Sequence, residues 1–156
     1  MKPRWLIFIA LFFKLSSAFA MDEGEVEAFT DFINTLVKTS SIHKSGSFCI
    51  FGSDEISSAL MFGDAKIVDL TKSPEKFNLC KAIYIASGSE KSLKLEIAKF
   101  NNANIMTVGI FEGFTEIGGM VQVQMGRRNF EMIVNPKAIK ESNIKINSLL
   151  TNLIIN

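Results

Sequence analysis

The chain predicts an α/β fold: a three-layer sandwich around a mixed, mostly parallel sheet closed by a C-terminal antiparallel hairpin. Three observations predict it. Short apolar runs of strand length alternate with helical stripes from residue 25 to residue 109. That strand–helix–strand order implies right-handed crossovers between parallel strands, with helices on the sheet faces. After Gly118-Gly119 the periodicity changes to two. Val121, Val123 and Met125 alternate with Gln122 and Gln124, and Phe130, Met132 and Val134 alternate with Glu131 and Ile133. Two such runs around Gly126 read as a hairpin.

Taken in order, residues 25–38 put Val26, Phe29, Ile33, Leu36 and Val37 on one helical stripe. The polar stretch Thr39–Ser47 is a loop. Ser47–Phe51 is a strand ended by Gly52, and Ser53 is the expected N-cap of a helix reaching Phe62. Asp54 and Glu55 then favour the helix dipole. Lys66–Leu70 is a second strand. Ser73-Pro74-Glu75 reads as an N-cap with proline at the first helical position. Cys80–Ala86 is a strongly apolar third strand. Ser87 and Glu90 fit a capping box, and Leu93, Ile97 and Phe100 give the helix that follows one buried face. Asn104–Gly109 is a fourth strand. Asn135-Pro136 starts another helix. Ile146, Leu149, Leu150, Leu153 and Ile154 suggest a final amphipathic helix packed back on the sheet.

Residues 1–20, MKPRWLIFIALFFKLSSAFA, are a different material. Lys2 and Arg4 open the segment, Trp5–Phe13 is unbroken apolar sequence, and Ala18-Phe19-Ala20 is a small-x-small cleavage site. This order is that of a secretory signal peptide. The run is shorter than the ~20 apolar residues that cross a bilayer. The expected organisation is a signal peptide over 1–20, cleaved after Ala20, and one domain over 21–156. Cleavage removes Lys2, Arg4 and Lys14 and no acid. The full chain has 17 basic and 16 acidic residues, so the remainder has 14 against 16, a net charge of −2. A mildly acidic surface disfavours nucleic acid as a partner.

The sequence holds few groups suited to catalysis. His43 is the only histidine and lies in a polar loop. No nucleophile–His–acid set assembles around it, and no nucleotide-binding glycine loop or nucleophile elbow occurs. Asp54, Glu55, Glu90, Glu112 and Glu116 fall near strand C-terminal ends, the usual ligand side of an open α/β sheet. Their simpler reading is helix N-terminal charge. No enzyme activity, cofactor or metal is expected. Cys49 and Cys80 are the only cysteines. Export permits a disulfide between them if their strands are adjacent and in register, and two buried free thiols are the alternative. The stretch from Phe111 to Gly119 sets Phe111, Phe114 and Ile117 in a glycine-rich connection. It reads either as a loop tucked onto the core or as a partner-binding lip, because aromatic residues dominate interface hot spots.

Several segments together resemble the YfiR family of bacterial periplasmic proteins. They are Phe48-Cys49-Ile50-Phe51-Gly52, Cys80-Lys81-Ala82-Ile83-Tyr84-Ile85-Ala86, Thr107-Val108-Gly109, Gly118-Gly119-Met120-Val121, Phe130-Glu131-Met132-Ile133-Val134-Asn135 and Ile144-Lys145-Ile146-Asn147-Ser148-Leu149-Leu150. The resemblance spans nearly all of residues 21–156. It implies a compact α/β fold, homodimerisation, and a partner in the periplasmic domain of an inner-membrane signalling protein. By that resemblance the chain restrains a diguanylate cyclase and tunes cyclic-di-GMP output. A small-ligand-binding exported protein is the alternative. One departure is local: Leu36-Val37-Lys38-Thr39-Ser40-Ser41 stands where the family's first helix usually ends in an aromatic-Pro signature.

Overall fold

Helix α1 (Glu23–Thr39) begins at a reciprocal cap. The Asp22 carboxylate accepts from the Glu25 N–H at 2.8 Å, and the Glu25 carboxylate accepts from the Asp22 N–H at 3.3 Å. Its stripe of Phe29, Ile33, Leu36 and Val37 is buried, as the 3.6-residue period requires. These features belong to a computed structural model that describes residues 21–86, 88, 90–127, 129–146 and 152–155. The leader over 1–20 and Ser87 of the expected capping box lie outside the described residues.

After α1 come strand β1 (Ser47–Phe51), helix α2 (Glu55–Gly63), strand β2 (Val68–Asp69) and a 3-10 helix over Pro74–Leu79. Strand β3 (Cys80–Ile85), helix α3 (Glu90–Asn102) and strand β4 (Met106–Gly109) follow. Strands β5 (Val121–Met125) and β6 (Phe130–Val134), helix α4 (Pro136–Glu141) and strand β7 (Asn152–Ile155) complete the order. The sheet runs β2-β1-β3-β4-β5-β6-β7, parallel at every junction except the β5–β6 hairpin.

Each sheet face carries its own helical layer, so the architecture is three-layered. One face sets Ile50, Ala82, Tyr84, Met106 and Val108 against α1, α2 and Ala138 of α4. The other sets Cys49, Ile83 and Ile85 against Leu93, Ile97 and Phe100 of α3. Successive residues of β1 and β3 thus feed opposite cores, which is why these strands read as continuous apolar runs.

Five expectations change. The N-cap of α2 is Asp54, not Ser53: its carboxylate accepts from the Ser57 N–H at 2.7 Å, and Ser57 Oγ accepts from the Asp54 N–H at 2.8 Å. The second strand shrinks to Val68–Asp69, and Pro74 opens a 3-10 turn with no side-chain cap from Ser73. The hairpin does not end the sheet, which stays open and continues into β7, parallel to β6. Residues 152–155 are therefore a strand where a helix was expected, and residues 147–151 lie outside the described residues. An apolar run this short does not choose helix or strand by periodicity alone; the free edge of β6 supplies the backbone partners.

Candidate functional site

Between β4 and β5 the chain makes a parallel connection without a helix. Only Val108 and Gly109 pair with Val121 and Gln122, so β5 starts where β4 stops. Residues 110–120 fold into consecutive turns instead, helped by left-handed backbone at Gly113 (φ +80°) and Gly118 (φ +107°), where a side chain would be strained.

The centre of this lip is Phe114, which is fully buried. Its ring lies between Gly109 and Gly119. A Cβ on Gly109 would come within 2.7 Å of the ring, and one on Gly119 would overlap it. Phe111 meets the ring edge-on at 5.2 Å between centroids. The Phe114 N–H donates to Gln122 Oε1 at 3.1 Å, and its carbonyl accepts from the Gly119 N–H at 2.9 Å. Gln122 is itself buried, although the alternation of β5 placed it on a polar face, because the lip covers it.

Side chains from three other elements hold the rest. Asn101 of α3 donates from Nδ2 to the Gly118 carbonyl at 2.8 Å. Thr107 of β4 accepts the Met120 N–H at 3.0 Å through its hydroxyl oxygen. Asn135, the N-cap of α4, donates from Nδ2 to the Thr115 carbonyl at 3.3 Å. With Gln122 of β5, these bonds satisfy backbone groups that an irregular segment would otherwise leave unpaired. They also make the lip a fixed surface. Periodicity does not single out Asn101, Thr107, Gln122 and Asn135 for this role; the available signal is a polar residue at the end of an apolar element.

The expected partner-binding residues are therefore unequal. Phe111 and Ile117 are half-buried and reach the surface, while Phe114 supports them from below. Two grooves flank the lip. One, of about 590 Å³, lies between Phe111, Ile117 and Leu93. The other, of about 350 Å³, lies over Ile110, Gln122 and Ile133. Glu112 and Glu116 are exposed and border both.

At the strand-order reversal between β1 and β3 the two outgoing loops touch. The Ala86 N–H donates to the Phe51 carbonyl at 2.9 Å, and a Cβ on Gly52 would meet Ala86 Cβ at 3.0 Å. Behind them the Tyr84 hydroxyl donates to Asp54 Oδ2 at 2.8 Å. Burial, then the Asp54 charge and the hydrogen bond to it, hold the phenol protonated far above its ordinary pKa. Asp54 is thereby committed to α2 and Tyr84. Glu55 and His43 are exposed. Among the described residues no group of His, Cys, Asp and Glu is arranged to hold a metal ion.

Cys49 and Cys80 form a disulfide with Cα atoms 5.8 Å apart, both residues fully buried. They are not direct lateral partners. Cys49 lies opposite Ile83 and Cys80 opposite Ser47, and a register shift between Ser47 and Phe48 separates the two pairings.

Comparison with curated proteins finds no match. A model of the YfiR/HmsC-like family matches residues 26–153, from the first turn of α1 into β7. With the domain matched almost end to end, the chain belongs to the YfiR/HmsC-like family.

Proposed function

We propose that the chain is exported, loses residues 1–20 after Ala20, and works in the periplasm through its 21–156 domain. There it restrains a membrane-bound signalling protein, such as a diguanylate cyclase, by protein–protein contact. Family membership carries this reading. Three further features support it. The leader has the order of a secretory signal peptide. The Cys49–Cys80 bond suits an oxidising compartment. The only histidine is exposed in a loop, and Asp54 is occupied in capping α2 and binding Tyr84, so neither is poised for bond-making.

The contact surface in this proposal is the lip. Phe111 and Ile117 offer apolar surface on backbone already held by Asn101, Thr107, Gln122 and Asn135, so little order is lost on binding. The test is binding of the exported protein to the periplasmic domain of an inner-membrane signalling protein encoded beside it. Phe111→Ala is expected to weaken that complex by roughly 10-fold or more, as hot-spot truncations do, with the thermal midpoint lowered by only a few degrees because the half-buried ring also packs edge-on against Phe114. No measurable complex with the wild-type chain would end the proposal. Sedimentation of the same sample tests the homodimer that the family resemblance implies.

A second reading, small-ligand binding, is favoured by one observation. The 590 Å³ and 350 Å³ grooves beside the lip fall in the size range of ligand pockets. A ligand held there would raise the thermal midpoint of the native state.

A further inference from the structure

On the helical layer opposite α3, a groove of about 870 Å³ runs between α1 and α2. Its floor is apolar, formed by Met21, Val26 and Ala59. Its wall is Phe62, which is 96% exposed although Ile56 and Leu60 of the same helix are buried at 1% each. A lone exposed apolar residue needs no explanation. Phe62 is not alone, because it continues the apolar lining of a concave surface.

The charges around the groove have one sign. Glu23 and Glu27 line it from α1 and Glu55 from α2. Glu23 and Glu55 lie in the first turns of their helices, where the dipole accounts for them. Glu27 and Asp31 do not. Glu23, Glu27 and Asp31 follow one another at i, i+4 and i+8 on α1, a spacing at which like charges destabilise a helix. All three are exposed, and no lysine or arginine pairs with them among the described residues.

We infer that this groove docks a cationic amphipathic helix of a partner protein. Its apolar face lies between α1 and α2 against Phe62, and its lysines or arginines meet Glu23, Glu27 and Glu55. Two neighbouring helices form a seat for a third through ridges-into-grooves packing. They offer no free strand edge, so an extended segment has nothing to pair with. A second copy of the chain is disfavoured, because a two-fold contact here sets acid against acid. The lip takes no part in this docking, so the groove is tested separately from the contact surface proposed above.

The probe is a synthetic peptide of leucine and lysine, spaced so that the leucines share one helical face, titrated into the full chain produced by export. Binding is expected, with amide shifts concentrated at Val26, Thr30, Ala59 and Phe62. Phe62→Ala should weaken it roughly 10-fold or more, and Glu27→Lys should weaken it and reduce its dependence on salt. Both side chains are exposed, so neither variant threatens folding, and matching thermal midpoints verify that. Equal binding of a leucine–glutamate peptide of the same spacing overturns the proposal. So do shifts confined to another face, or affinities unchanged in both variants. Dimerisation of the chain alone that Phe62→Ala abolishes gives the groove to a second copy, and also overturns it.

Discussion

Replacing Phe114 with alanine is expected to destabilise the whole domain rather than merely trim a surface contact. The ring is fully buried and touches Gly109, Gly119 and Phe111. Removing a buried phenylalanine costs about 3–5 kcal/mol, with the larger values where the site cannot collapse. Two walls here are glycines, which have no side chain to move inward. The thermal midpoint should fall by about 10–17 °C for a domain of this size. Gly119→Ala attacks the same contact from the other side, since its Cβ would overlap the ring. Overpacking of this kind costs about 1–3 kcal/mol. In the Phe114→Ala background that methyl group enters vacated space, so its cost should nearly vanish. The four proteins therefore form a cycle with a coupling of about 1–3 kcal/mol, read by urea unfolding at constant m. Coupling below about 0.5 kcal/mol, or a Phe114→Ala variant within about 1 kcal/mol of wild type, would refute this account of the lip.

Other outcomes follow from separate features. Removing the disulfide as Cys49→Ala/Cys80→Ala should cost about 3–4 kcal/mol on the chain-entropy model for a 31-residue separation. Because both cysteines are buried, intact mass should shift by two hydrogens with reductant only once denaturant is added. Tyr84 is the only tyrosine, so phenolate absorbance reports it alone. Its folded pKa lies well above the unfolded value near 10. Above that pH the unfolded state binds fewer protons than the native state, so stability should be full below about pH 10 and decline as pH rises further. Ordinary titration of the native protein near pH 10, or no change of that slope in Tyr84→Phe, would contradict the burial argument. Trp5 is the only tryptophan and lies in the leader; protein exported and cleaved after Ala20 should show tyrosine emission alone, and tryptophan emission would refute cleavage.

Much of the scaffold was legible in local periodicity. The α1 stripe from Phe29 to Val37, the apolar β3 run, and the alternation of β5 and β6 each read directly as what the structure holds. Asn135-Pro136 did so too, since an N-cap and a proline at N1 act within one turn. The α2 cap was harder. Ser53 and Asp54 are both competent, and the choice depends on where the first helical turn closes onto Ser57. The candidate site was half legible: its composition marked residues 111–119, but the direction each side chain faces was not in the string. Gln122 shows the same limit, because burial by a loop above it leaves no trace in the alternation of β5.

The amino-acid order by itself determined the element types and their succession as far as α4, the two layers of helix and the parallel sense of most strands. Those follow from backbone sterics, capping and the burial of periodic apolar faces, which act over a few residues. Only the tertiary structure decided the inward turn of Phe114, the Tyr84–Asp54 bond, the diagonal Cys49–Cys80 pairing and the strand at residues 152–155. Each depends on a partner far along the chain or on a free sheet edge. Such contacts are selected by the packing of the whole, in which two glycines or one unpaired edge outweigh local preference.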